Sequence, residues 1–219
     1  LVDVTNLLAH DRGRPLHVFD ADKLQGHMQA RLARDGEQMQ ALDGKTYTLD
    51  ATMTVIADDH VARGIAGVMG GEDTGCTETT TNVFVESAWF DPVRTAATGR
   101  KFGIVSDARY RFERGVDPDF VLPGLELATK LILEFCGGEP AEIVVAGSPP
   151  DIRRTIAFAP DTVKRLGGLD VPRAEIVTIL SNLGFEIEDE NPMKVTTPSW
   201  RSDVIGPADL VEEVVRIYG

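Results

Sequence analysis

The sequence predicts an α+β protein with two domains, residues 1–148 and 149–219. Apolar and polar residues alternate in several short runs before residue 90, which is typical of half-buried strands. Further along, apolar residues recur at helical spacing, as expected for helices that pack one face on a core. Between these regions and the last third of the chain, Ser148-Pro149-Pro150 is a clear linker signal, so we place the domain boundary there.

The first part is predicted to begin its regular structure at a hairpin, because Asp43-Gly44 is a tight-turn signal between two β-rich runs. The first 26 residues mix apolar runs with turn residues, and we assign no element there. The predicted strands are Thr46–Asp50, Thr52–Ile56, Asn82–Phe90 and Ile143–Ala146. The predicted helices are Pro92–Arg100, opened by its proline, and Pro123–Phe135, stopped by Gly137-Gly138.

The second part is predicted to combine a hairpin, or wing, with two or three helices, which indicates a small module of winged-helix type. Its helices are Asp161–Leu166, the segment opened by Pro172 and capped by Gly184, and Pro207–Tyr218. Its strands are Thr155–Phe158 and a pair formed by Phe185–Glu188 and Lys194–Thr197.

Composition excludes several classes of protein. With 42% hydrophobic and 26% charged residues, the chain is neither disordered nor collagen-like. A net charge of −13 argues against a protein that coats a nucleic-acid backbone or an anionic membrane. Its two cysteines, Cys76 and Cys136, form no disulfide framework and fit a reducing compartment. Since the chain starts at Leu1 in ordered sequence, we expect it to be a piece of a longer protein.

The last predicted helix carries the sharpest local pattern. Asp209, Glu212 and Glu213 are spaced to share one helical face, and Asp203 precedes the helix closely enough to fold over its start. Carboxylates brought together without partners repel, and a hard cation such as Mg²⁺ relieves the repulsion. A solvated acidic face that complements the helix dipole is the alternative, and spacing alone favours it.

Other candidate residues have equally plain alternatives. His17 lies in a rigid, proline-led segment, and a lone histidine is more often structural than catalytic. Glu86 interrupts an apolar strand, which suits either a recognition group in a pocket or a surface residue. The glycine-rich run Gly64–Gly71 matches no phosphate-binding loop, so it indicates backbone that approaches something closely.

One stretch departs from the acidic average. Six lysines and arginines against two acids give Arg94–Arg114 a charge of +4. The stretch could receive a phosphate backbone locally, and internal salt bridges are an equally good explanation.

Several segments together resemble the β subunit of bacterial phenylalanine–tRNA ligase (phenylalanyl-tRNA synthetase). Each is weak alone, but they occur in family order along nearly the whole chain. They are Val2–Asn6, Pro15–Asp20, Gly64–Gly71, Arg111–Pro118, Leu183–Phe185, Pro198–Asp203, Asp209–Glu213 and Arg216–Gly219.

The resemblance implies a mixed-sheet editing domain over residues 1–148, lacking its first strands, and a winged-helix-like domain after it. The implied reaction is hydrolysis of tyrosine wrongly attached to the phenylalanine tRNA. His17, Glu86 and Ser106 then fall at catalytic positions, and Gly70 and Ala108 at positions that leave room for the ring. Some relatives are expected to have a threonine at position 106. Ser106 keeps the hydroxyl and lacks the methyl group, so only the shape of the pocket is affected. The implied general base is left open, since water and a tRNA hydroxyl could share that work.

The resemblance also implies that Asp203, Asp209, Glu212 and Glu213 bind Mg²⁺ at a contact with the α subunit of an α2β2 assembly. The whole ligase joins phenylalanine to its tRNA with ATP in the cytoplasm, at an active site in the α subunit, so this piece alone should not ligate. A non-catalytic scaffold that positions the α subunit and the tRNA is the alternative. An acid-rich metal-binding module unrelated to tRNA is disfavoured by the wide motif match.

Overall fold

The structure is a computed structural model, and it describes residues 1–188 and 190–219. The chain forms two compact units, Leu1–Pro149 and Pro150–Gly219. Helices and antiparallel sheets occur in both units, so the predicted α+β class is confirmed. In the part of the chain that is described, no helix has the length and apolar character needed to cross a membrane.

The first unit contains four helices and eight strands among its described residues. The helices are α1 (Val2–Arg12), α2 (Pro92–Phe102), α3 (Asp107–Phe112) and α4 (Val121–Cys136). The strands are β1 (His17–Asp20), β2 (Gln29–Leu32), β3 (Gln38–Gln40), β4 (Thr46–Thr48), β5 (Thr54–Ala57), β6 (Ala62–Ile65), β7 (Met69–Gly70) and β8 (Val83–Glu86).

Three antiparallel sheets organise these strands. β2, β5, β6 and β7 form a four-stranded sheet in that order, β3 pairs with β4, and β1 pairs with β8. The β3–β4 hairpin confirms the predicted turn, in which Gly44 takes a φ of 77° that favours glycine. The β1–β8 ladder joins two segments far apart in sequence and sets His17 opposite Glu86.

The helix predictions in this unit hold because their end signals act locally. Asp91 accepts a hydrogen bond from the Arg94 amide at 2.7 Å, Pro92 opens α2, and Gly103 ends it in the left-handed region. Helix α4 extends the prediction by a few residues at each end.

Two expectations for this unit fail. The strand predicted at Ile143–Ala146 is wrong, because this segment has no regular structure and Val144 and Val145 are 87% and 66% exposed. Strand propensity alone cannot form a strand without a partner for its backbone groups. Helix α1 was not predicted, since only Val4 and Leu8 of its residues are buried and the apolar Val2 and Leu7 point to solvent.

A buried arginine holds the first unit together. Arg14 is 1% exposed and donates from Nη1 to the carbonyl of Ala88 at 2.6 Å and from Nη2 to the carbonyl of Asp117. Burial lowers the pKa of the guanidinium to about 10, and the charge of Asp117 opposes that shift. The side chain therefore ties the start of β1 to the segments that follow β8 and precede α4.

The second unit has one sheet with helices around it. Its strands β9 (Thr155–Phe158), β10 (Glu186–Glu188) and β11 (Met193–Thr196) are antiparallel in the order β10-β11-β9. Its helices are α5 (Arg173–Asn182) and α6 (Pro207–Tyr218), with a π-helical turn at Val163–Gly167. Phe158, Ile176, Leu180 and Leu210 fill its core. The predicted hairpin, the helix opened by Pro172 and the final helix are confirmed.

Replacing Arg14 tests its role as the tie of the first unit. We expect Arg14→Lys to destabilise this unit by about 3 kcal/mol, because one ammonium cannot reach both carbonyls and leaves a buried acceptor unpaired. Urea unfolding of the 219-residue chain measures the change. Arg12→Lys is the matched control, since the Arg12 side chain is 58% exposed and should cost less than about 0.5 kcal/mol. Equal effects of the two substitutions would contradict the assignment.

Candidate functional site

The site is a cavity of about 70 Å³ in the first unit, between the β1–β8 ladder, the β6–β7 hairpin and α3. Its lining is mostly apolar, with Phe19, Ile56, Phe90 and Phe112 among its walls. At about 30 Å³ of liquid volume for each water, this space would hold two or three waters. Two ionisable side chains, His17 and Glu86, line the same cavity.

His17 and Glu86 face each other across the ladder. They are direct partners in the antiparallel register, so both side chains lie on the same face of the two strands. The residue Glu86 keeps part of its surface exposed, but its carboxyl group is desolvated, which raises its pKa from 4.5 to about 7. Of the two alternatives left open for Glu86, a group in a pocket fits this position better than a surface residue.

His17 has an unusual environment for an imidazole. Its Nε2 is buried and has no hydrogen-bond partner among the described residues. Burial lowers the pKa of the ring, so the imidazole is neutral at neutral pH. Buried polar atoms are nearly always paired in folded proteins, and an unpaired one inside a cavity is suited to a ligand or a water.

Gly70 lies directly under the His17 ring. A Cβ atom at this position would overlap His17 Cε1 and lie 2.7 Å from Nε2. The neighbouring hairpin turn uses Gly67 at a φ of 69°, where a side chain would press on Phe90 and Phe112. The glycine-rich run is therefore backbone that approaches other groups closely, as its composition indicates.

Ser106 and Ala108 lie at the start of α3, but only Ala108 lines the cavity. The Ser106 hydroxyl accepts from the Arg109 amide at 3.1 Å and donates to the Val68 carbonyl at 2.6 Å. Both of its bonds are thus used to cap the helix and to hold the β6–β7 turn. The structure brings His17, Gly70, Glu86 and Ala108 together around the cavity. Ser106 does not line the cavity, and its two hydrogen bonds support the residues that do.

Sequence reasoning missed the residues that shape the cavity. Phe19, Phe90 and Phe112 line it. In the sequence alone, nothing distinguishes an aromatic residue that lines a cavity from one that packs in the core. Arg109 is also a support, since it donates to Glu113 at 2.9 Å and packs on Gly99 of α2. Two of the quoted segments contain such residues, since Phe19 lies in Pro15–Asp20 and Phe112 lies in Arg111–Pro118.

The basic stretch is used largely inside the unit. Arg109 pairs with Glu113, Lys101 pairs with Asp50, and Arg111 donates to the carbonyl of Ala9 at 2.6 Å. Arg114 also pairs with Glu113 at 3.0 Å, so internal pairing, one of the two explanations offered for this stretch, accounts for four of its six cations.

The acidic helix of the second unit shows a different arrangement from an open cation site. Asp203 and Glu213 both accept from Arg201, and Asp209 accepts from the backbone amides of Ile205 and Gly206. Within residues 1–188 and 190–219, no three His, Cys, Asp or Glu side chains are placed to hold a metal ion. As arranged here, the four carboxylates do not fit Mg²⁺, and its binding stays a prediction.

The fold and the cavity can now be compared with known proteins. Residues 1–137 match the B3/4 domain, and residues 156–219 match the tRNA synthetase B5 domain. The chain is 56% identical over 220 residues to the phenylalanine–tRNA ligase β subunit of Paramagnetospirillum magneticum and 59% identical over 222 residues to that of Rhodospirillum rubrum. Each match covers 100% of this chain and 28% of the relative, so the chain spans little more than a quarter of those proteins.

A solved structure was also found. An N-terminal fragment of the phenylalanyl-tRNA synthetase β subunit from Pyrococcus horikoshii is 17% identical, with a TM-score of 0.43, over 100% of this chain and 65% of that one.

The chain belongs to the B3/4 domain family, with a B5 domain after it. Over its whole length it is similar to one continuous part of phenylalanine–tRNA ligase β subunits, which confirms the resemblance read from its motifs.

Adding a methyl group at Gly70 tests the contact with His17. We expect Gly70→Ala to destabilise the first unit by about 2 kcal/mol, because the ring must move out of a packed position. Urea unfolding measures the cost, and the His17 imidazole resonances report the ring's new environment. Gly64→Ala is the matched control in the same hairpin, since its Cβ would meet the nearest atoms at 3.7 Å. Unchanged His17 resonances in Gly70→Ala would contradict the contact.

The pKa of Glu86 predicts a pH-dependent stability. Its folded value of about 7 exceeds its ordinary 4.5, so folding favours the protonated form. The carboxyl group costs nothing below pH 4.5, and the cost grows between pH 4.5 and 7 to at most about 3 kcal/mol. Glu86→Gln should therefore stabilise the chain at pH 8 and leave its stability unchanged near pH 4. The control is Glu134→Gln, which removes a carboxylate from an exposed position in the same unit. A flat difference for Glu86→Gln would refute the raised pKa.

Proposed function

We propose that this chain is the editing part of a phenylalanine–tRNA ligase β subunit and hydrolyses tyrosine from wrongly charged phenylalanine tRNA. One observation carries the proposal: a desolvated carboxyl group and an unpaired imidazole nitrogen share one small, mostly apolar cavity. Apolar cavities with a few converging polar groups and perturbed pKa values are the usual form of a binding site.

Glu86 is the residue that selects tyrosine. A phenol hydroxyl bound in the cavity would pair with the Glu86 carboxyl, whichever protonation state it takes. A phenylalanine ring would leave the carboxyl group unpaired. Sites that hydrogen-bond a substrate hydroxyl reject the analogue without it by about 10⁴-fold or more.

The aromatic walls and the small residues complete the ring site. Phe90 and Phe112 meet at 5.0 Å between ring centroids and offer apolar surface to the bound ring. Gly70 and Ala108 line the cavity without filling it. These features suit a flat ring with one polar end.

His17 serves the ester end of the substrate. Its neutral ring has a free Nε2, which hydrogen-bonds the ester or an attacking water according to its tautomer. Ser106 acts as a positioning residue, because its hydroxyl holds the Val68 carbonyl and the start of α3. We assign none of these side chains as general base.

The whole ligase supplies the remaining functions. In this proposal it is a cytoplasmic α2β2 assembly that joins phenylalanine to its tRNA with ATP, and the α subunit carries that reaction. The isolated chain binds neither ATP nor the amino acid for ligation, and the α subunit and the tRNA are its partners. Magnesium belongs to the proposal only for the assembly, where the acidic helix would meet the α subunit.

The experiment offers tyrosine-charged phenylalanine tRNA to the intact ligase carrying Glu86→Ala. We expect tyrosine release to fall by about 10²-fold, because the hydroxyl loses its partner and the ring its orientation. Ligation of phenylalanine should continue unchanged, which shows that the assembly is intact. Glu134→Ala is the control for loss of an exposed glutamate in the same unit.

Tyrosine release that is equal in Glu86→Ala and in the unmodified ligase would exclude Glu86 from editing. Release that is absent from the unmodified ligase as well would favour the scaffold, in which the cavity is unused and the chain positions the α subunit and the tRNA.

A further inference from the structure

The acidic helix of the second unit is organised around one guanidinium group. Arg201 donates to both oxygens of Asp203, from Nε at 2.8 Å and from Nη2 at 2.7 Å. The same Nη2 donates to Glu213 Oε1 at 2.8 Å. The planar guanidinium group binds one carboxylate through two hydrogen bonds and the second carboxylate through a third. Such charge-assisted pairs are among the strong ion pairs in proteins.

Burial makes this arrangement part of the fold. The side chains of Glu213 and Arg201 are 8% and 20% exposed, and Arg201 Cζ lies 5.9 Å from the ring centroid of the core residue Phe185. Arg216 pairs with the second oxygen of Glu213. Both oxygens of the buried glutamate are thus paired with guanidinium groups.

The other two carboxylates have different positions. Asp209 Oδ2 accepts from the Ile205 amide at 2.8 Å and from the Gly206 amide at 2.9 Å, which closes the start of α6. Glu212 is exposed. The spacing along the helix puts the acids near one another, but each already has its own local environment.

We propose that Arg201 is the built-in cation of this cluster, so that the second unit folds without a divalent ion and Mg²⁺ reaches Asp203 and Glu213 only if Arg201 is displaced. Mg²⁺ demands oxygens in a near-octahedral shell at about 2.1 Å. Arg201 Nη2 lies between the two carboxylates and hydrogen-bonds the oxygen atoms that such an ion would need. The guanidinium already cancels the repulsion that an ion would relieve.

The test measures thermal unfolding of the 219-residue chain in EDTA and in millimolar magnesium chloride, with ionic strength matched by potassium chloride. Trp200 fluorescence in a Trp89→Phe background reports the second unit, because Trp89 lies in the first. We expect the same Tm in both buffers, since an ion that does not bind the folded state cannot stabilise it.

Removing the guanidinium provides the second arm. In EDTA, Arg201→Gln should lower the Tm of the second unit by roughly 10 °C, because it leaves Glu213 with one partner fewer. Magnesium should then recover roughly 5 °C, since the vacated carboxylates can bind the ion. Arg154→Gln is the matched control: Arg154 donates to the carbonyls of Ser202 and Val204 in the same segment, so magnesium should not rescue its loss.

A Tm of the unmodified chain that rises by several degrees in magnesium overturns the proposal, and this arm does not depend on any Arg201 variant folding. Rescue of Arg154→Gln equal to that of Arg201→Gln also overturns it, because the ion would then act on the segment as a whole.

Discussion

The first unit depends on the buried guanidinium of Arg14. It stands immediately before β1 and binds carbonyls from the segments beyond β8 and before α4. Because β1 and β8 are about 65 residues apart in sequence, their ladder must offset a long loop closure with few strand hydrogen bonds. The Arg14 bonds fix both strands at the end where His17 and Glu86 meet. The hydrogen bonds of Arg14, which lie outside the cavity, therefore stabilise the strand register that creates it.

That cavity contains two groups that a stable core would avoid. The Nε2 of His17 is unpaired, and the carboxyl group of Glu86 is desolvated enough to raise its pKa to about 7. Both features cost folding free energy. The surroundings support them with paired groups: Ser106 fixes the β6–β7 turn, and Arg109 with Glu113 fixes α3. Unfavourable polar groups that an ordered surrounding structure holds in place are typical of a functional site.

Much of the fold could be predicted from local sequence signals. Proline and glycine mark the ends of α2, α5 and α6, and the Asp43-Gly44 turn sets the first hairpin. The errors occur where long-range partners decide the outcome, as at the exposed run Ile143–Ala146 and at α1 with its two buried residues. The candidate residues of the cavity came from the family resemblance, while its register, its aromatic walls and the bonds of Ser106 exist only in three dimensions. Spacing likewise placed acids on one face of α6 but could not reveal that Arg201, outside the helix, pairs with Glu213 and with Asp203.

Each unit contains a poorly solvated glutamate, and the pKa of its carboxyl group shifts in opposite directions in the two units. Glu213 is 6% exposed, and its partner Arg201 lowers the pKa of its carboxyl group below the ordinary value. Glu86 lies among apolar side chains, and burial raises its pKa. A carboxylate that is paired within the fold has already used its hydrogen-bonding capacity and contributes to structure. A carboxyl group that is desolvated and faces a cavity retains that capacity for a ligand. This contrast, and not the number of acids at either place, marks Glu86 as the glutamate whose carboxyl group is open to a ligand.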